Sequence, residues 1–156
     1  MKKLLLVIFL LLFASCVIVL ADEAKDVRNF FYNYISAVNS YNESVYNMYS
    51  PDAKIIRQVV KPDGSTANVT TDAATYIKQM KLSAIAAKAK GYTNKYSNIH
   101  VAKAGDNYKI TALRQPSGES YKLKIHMIVK KQPDGNWLIV EELMQTKEQI
   151  FLKYAD

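Results

Sequence analysis

Three turn signals cut the C-terminal half of this sequence into four short segments: Ala104-Gly105-Asp106-Asn107, Gln115-Pro116-Ser117-Gly118 and Gln132-Pro133-Asp134-Gly135. Gly supplies the left-handed backbone that tight turns use, and Pro presets the turn's first φ. The intervals, Thr93 to Lys103, Tyr108 to Arg114, Tyr121 to Lys131 and Trp137 to Gln145, therefore read as strands, and connections this short join antiparallel neighbours. Alternation is clearest in the third. Tyr121, Leu123, Ile125, Met127 and Val129 share one face, while Lys122, Lys124, His126, Ile128 and Lys130 share the other. One face is core and the other mostly wet.

The N-terminal half supplies the covering layer. Val27, Phe30, Phe31, Tyr34, Ile35 and Val38 fall at helical spacing, a single apolar stripe of about four turns. Val45, Met48 and Tyr49 suggest a short second helix stopped at Ser50-Pro51-Asp52, because the residue before Pro is pushed out of the α region. Lys54 to Val60 is rich in β-branched residues, and Pro62-Asp63-Gly64 turns it into a weaker strand, Thr66 to Thr70. Thr71 is placed to cap a third helix with stripe Ala73, Ile77, Met80, Ala84 and Ala87, ended by Gly91. The order predicts an α+β domain, three N-terminal helices packed on a curved antiparallel sheet.

Ahead of this lies Met1 to Ala21: Lys2 and Lys3, an apolar run from Leu4 to Leu20, and Val19-Leu20-Ala21, which fits a signal-peptidase site. Residues 1–21 are expected to be a signal peptide and 22–156 one domain, exported to the periplasm or outside the cell. Two alternatives stand beside cleavage: retention of the run as an anchor, or lipidation at Cys16, since Phe13-Ala14-Ser15-Cys16 resembles a bacterial lipobox. Membrane attachment is expected only through these routes. Cys16 is the single cysteine, so the domain has no disulfide and no thiolate ligand. Losing Lys2 and Lys3 takes the formal net charge from +7 to +5, and the lysines are scattered through alternating patterns, which argues against nucleic acid. Asn42-Glu43-Ser44 and Asn68-Val69-Thr70 are glycosylation sequons, meaningful in a eukaryotic secretory route.

The element order, with "FFYNYISAVNS", "VYNMYSPDAKI" and "PDGNWLIVEEL", resembles the nuclear-transport-factor-2-like (NTF2-like) superfamily of cystatin-like α+β cones, including its SnoaL-like and ketosteroid-isomerase-like branches. The likeness spans residues 22–156 and implies a conical cavity; its motifs mark a fold, not a reaction. Ketosteroid isomerases use a helix tyrosine and a protonated strand acid to hold an oxyanion, and a second carboxylate to move the proton. Tyr34 falls where that tyrosine belongs. The resemblance places the proton-moving carboxylate at Arg57 and the other acid at Met127, so both carboxylates are absent. By the same resemblance, Ile55, Arg57, Val59, Tyr108, Ile110, Ala112, Arg114, Leu123, Ile125, Met127, Val140, Glu142 and Met144 face the hollow.

Glu141 and Glu142 interrupt the last strand, and alternation lets only one of them point inward. Glu142 is the inward candidate. Buried, it requires a partner, and Arg57 or Arg114 could supply one. The expected ligand site comprises Tyr34, Arg57, Tyr108, Arg114, Met127, Glu142 and Met144, suited to a small amphipathic or anionic molecule; the alternative is a purely structural ion pair. On the convex side Ile128, Trp137 and Ile139, with Ile99 and Val101, are expected to leave apolar area for a homodimer. His100 and His126 have no i, i+4 partner, so neither a metal nor a cofactor is implied. The leading expectation is an exported, non-catalytic binding domain. The alternatives are an isomerase, lyase or hydrolase with Tyr34 as donor, Glu142 as base and Arg57 steadying an oxyanion, or a subunit of an envelope assembly.

Overall fold

The apolar stripe of the first helix meets the sheet as its spacing demands. The computed structural model describes residues 22–155; the leader and Cys16 lie outside the described residues. Residues 22–39 form helix α1. Its Val27, Phe31 and Tyr34 are buried in one cluster with Ile110, Met127 and Ile139 from the sheet, each such side chain contributing about 1.5–3 kcal/mol. A 3-10 helix follows at Glu43–Met48, its start held by the Asn42 side chain, which accepts from the Ser44 N–H. The expected second helix is thus a shorter and tighter one, and Tyr49 already belongs to the next strand.

The strands are β1 (Tyr49–Val60), β2 (Thr66–Asp72), β3 (Asn94–Ala104), β4 (Asn107–Pro116), β5 (Leu123–Lys131) and β6 (Trp137–Thr146). Helix α2 (Ala73–Ala89) stands between β2 and β3. Its N-cap is Asp72, one residue beyond the expected Thr71, with the Asp72 carboxylate accepting from the Thr75 N–H at 2.8 Å. Gly91, at φ +60°, ends it in the left-handed turn its position suggests. A second 3-10 helix, Gln149–Tyr154, which the sequence reading did not anticipate, lies against β1 and β2. Among the described residues, four helical segments are therefore present in place of three N-terminal ones.

The six strands make one curved sheet in the order β2-β1-β6-β5-β4-β3. It is mixed, which corrects the fully antiparallel expectation: β1 and β6 run parallel, Ile55 opposite Glu142 and Arg57 opposite Met144. This pairing joins segments about 90 residues apart, so no turn signal announces it. Pro51 sits where the β1–β6 register shifts, between Tyr49 and Lys54, a place where its missing N–H costs no ladder bond.

A bulge in β6 re-aims the last strand. Val129 pairs with Ile139 and Ile128 with Glu141, leaving Val140 as the extra residue. Ile139 and Glu142 consequently point to the same, concave side, although they are three apart. Ile139 is fully buried there, and Trp137 packs edge-on against Tyr108 with ring centroids 5.5 Å apart. Ile139 and Trp137 are thus withdrawn from the convex face, as are Ile99 and Val101, which pack against the core. Val140, expected in the hollow, is only half-buried. Ile128 does face outward, opposite Lys109 and Glu141.

Candidate functional site

Glu142 is completely buried, and both of its oxygens are engaged. Arg57 Nη1 donates to Oε1 at 3.0 Å. Tyr49 Oη donates to Oε2 at 2.6 Å, and Tyr34 Oη to the same oxygen at 3.3 Å. The Arg57 guanidinium also lies 4.3 Å from the centroid of the Tyr76 ring, a cation–π contact, while Tyr76 meets Tyr49 edge-on at 5.6 Å. Four elements converge here: α1 brings Tyr34, β1 brings Tyr49 and Arg57, α2 brings Tyr76, and β6 brings Glu142.

Desolvation explains why so many donors surround one acid, since a buried charge without compensation would cost several kcal/mol. The cluster's electrostatics follow. Burial first, and the Glu142 charge second, push the Tyr34 and Tyr49 hydroxyls well above the usual phenol range, so both remain proton donors. Burial alone works against the Arg57 charge, but Tyr76 and Glu142 more than offset it and the guanidinium's value is raised. Tyr76 is likewise raised by burial, against the opposing pull of Arg57.

Beside the cluster a cavity of about 220 Å³ opens between α1, α2 and the concave sheet. Tyr34, Tyr76, Tyr96, Arg114 and Met144 are among its walls, with Met80, Ala84 and Ala87 of α2 opposite. Of the expected cavity residues, Tyr34, Arg114 and Met144 line it; Arg57, Tyr108, Met127 and Glu142 do not. Met127 is fully buried core. Tyr108 closes the other end of the hollow, where its hydroxyl bonds Glu23 at 3.3 Å and Lys103 lies over its ring.

Arg114 is the one charged side chain on the cavity wall. It is buried and held by Asn94 Oδ1 at 2.8 Å and the Gln145 carbonyl at 3.0 Å, while its Nε lacks a partner. The Tyr96 hydroxyl is also buried without a partner. Sequence reasoning missed Tyr49, Tyr76 and Tyr96. Tyr49 falls in the expected second helix, and no local pattern singles out Tyr76 or Tyr96; only their convergence on one acid and one cavity distinguishes them.

Glu142 stands opposite Met127 in the neighbouring strand, and three donors engage its two oxygens. Among the described residues no group of His, Cys, Asp and Glu is arranged to hold a metal ion.

This fold is the NTF2-like, cystatin-like cone. The chain is similar to an NTF2-like protein with a cystatin-like fold from Novosphingobium aromaticivorans, with a TM-score of 0.63 at 15% identity, covering 86% of this chain and 88% of that one. It is similar also to an NTF2-like protein of unknown function from Pseudomonas putida, TM-score 0.61 at 12% identity over 80% and 87% of the two chains. A candidate ketosteroid isomerase from Shewanella frigidimarina gives a TM-score of 0.55 at 19% identity over 74% and 91%. No protein-family model and no curated protein matches the sequence. Likeness at these identities concerns the fold alone.

Proposed function

We propose that the protein is an exported, non-catalytic NTF2-like domain that holds a small amphipathic or anionic molecule in its tyrosine-lined cavity. The observation that carries this reading is the engagement of both Glu142 oxygens by core donors, away from the cavity. A general base must come within reach of a substrate proton, and Glu142 is fully buried, bonded through both oxygens to core donors and absent from the cavity wall. The same observation disfavours an isomerase, lyase or hydrolase built on Glu142. What remains at the cavity is recognition chemistry: apolar and aromatic walls with one buried guanidinium. The volume, below the roughly 300–1,000 Å³ of sites for drug-sized ligands, suits a small guest.

A homodimer through the convex sheet face accompanies this reading. Ile128, Leu113 and Leu143 are half-buried there, interspersed with Thr111, His126 and Glu141, and His126 Nε2 lies 3.2 Å from Glu141 Oε1. Apolar residues among polar ones suit an isologous contact. Intact mass of the native protein from host membrane and soluble fractions tests the proposal as a whole. Cleavage after Ala21 with a retained small molecule lost in Arg114→Met supports it; a guest bound equally by Arg114→Met, or turnover of a bound compound, would refute it.

A further inference from the structure

Helix α2 is apolar on both sides. Ala73, Tyr76, Met80, Ala84 and Ala87 face the domain, as their burial and the cavity lining show. On the opposite side Leu82 and Ile85 are 73% and 81% exposed, the most exposed of the large apolar side chains among the described residues. Counting 100° per residue, Leu82, Ile85, Ala86 and Ala89 form one outward strip. At Leu82 and Ile85, Gln or Glu would serve a solvated surface without loss of helix propensity, so these two side chains are not explained by helix formation.

The surrounding charge says what covers it. The helix contains Lys78, Lys81 and Lys88 and no acid, and Lys90 follows at its C-cap. Lys78 sits beside the strip, Lys81 and Lys88 flank one side and Lys90 the other. Two copies joined through this face would set lysine against lysine. A surface rich in phosphate would instead accept the lysines while apolar side chains enter the layer beneath, the arrangement of helices that lie in a membrane interface. No helix among the described residues is long and apolar enough to cross a bilayer, which fits a contact made from the surface.

We infer that the outer face of α2 docks on an anionic lipid bilayer, Leu82 and Ile85 entering below the headgroups and Lys78, Lys88 and Lys90 meeting them. This contact is separate from any attachment through the leader or Cys16. It gives the cavity a position as well, because Met80, Ser83, Ala84 and Ala87 on the other side of the same helix are cavity wall.

The test uses the full chain carrying Leu82→Trp, with unsubstituted protein as the Trp137 background, and vesicles of phosphatidylcholine with or without about one third phosphatidylglycerol. The added emission should shift to the blue on anionic vesicles, and the shift should weaken as salt is raised. Leu82→Ser with Ile85→Ser, at exposed positions that leave the fold intact, should lower the anionic-vesicle partition of the Trp-free-face protein by more than tenfold. Lys78→Gln with Lys88→Gln should lower it by roughly tenfold or more. The inference is overturned if Leu82→Trp emission ignores anionic lipid, if the serine pair partitions like the parent, or if the blue shift follows protein concentration without lipid, which would assign the face to a second copy.

Discussion

Tyr49 Oη lies 2.6 Å from Glu142 Oε2, a hydrogen bond that ties the first residue of β1 to β6 across 93 positions of sequence. With Arg57 and Tyr34 it makes the acid a junction between helix and sheet. Removing Arg57 alone should leave a buried carboxylate with neutral donors only. Arg57→Met is expected to destabilise the protein by about 3 kcal/mol, and Arg57→Met/Glu142→Gln to recover at least half of that, because both charges leave together. Urea unfolding of the wild type, both single variants and the double variant measures the coupling.

Tyr49→Phe removes the shorter of the two phenol donors and should cost about 1.5–3 kcal/mol, as expected for a hydrogen bond to a charged group. Tyr34→Phe, whose bond is 3.3 Å long, should cost less. The order of the two urea midpoints is the check, and the reverse order would show that helix packing, not distance to Glu142, sets the energetics.

The register of β6 predicts a contrast between neighbouring isoleucines. Ile139→Ala should cost about 3 kcal/mol, since a fully buried side chain leaves a cavity, whereas Ile128→Ala should cost well under half as much. Ile128→Glu should instead show itself in assembly, turning the proposed dimer to monomer in sedimentation at micromolar concentration with little change in monomer stability.

Alkali should reveal the buried phenols. Burial first raises the values of Tyr34, Tyr49, Tyr76 and Tyr96, so folding favours their neutral forms. That contribution is full below the ordinary phenol value of 10.0 and drains away as pH rises above it, because the unfolded chain can ionise where the native one cannot. Absorbance titration of the eleven tyrosines should therefore show an early set and a late set that ionises together with unfolding. One smooth transition centred near the ordinary value would contradict it.

Acid acts in the opposite sense. The Lys131 hydrogen bond holds Glu23 below its ordinary 4.5, and the Thr75 N–H holds Asp72 below 3.8. Ser65 does the same for Asp63, and the Asn136 N–H for Asp134. Depressed folded values add stability above the unfolded ones and lose it as pH falls through the folded ones. Urea midpoints should stay nearly level between about pH 7 and 5 and drop below about pH 4. Asp72→Asn, which keeps a capping oxygen but no charge, should flatten part of that drop.

Local chemistry alone was enough for the four C-terminal strands, the stripe of α1 and the Gly91 stop, because turn residues and side-chain periodicity act within a few positions. The family resemblance made Glu142 the inward candidate and left Arg57 and Arg114 open as its partner; the fold pairs it with Arg57. The parallel β1–β6 pairing, the bulge at Val140 that turns Ile139 inward, and the gathering of Tyr34, Tyr49 and Tyr76 around one acid belong to tertiary structure. Each depends on which distant segments come to lie side by side, and periodicity within one segment carries no information about its neighbour. The cavity was decided in the same way: its walls come from α1, α2 and three strands, with Tyr34, Met80, Tyr96, Arg114 and Met144 meeting only once the sheet has curved around α1.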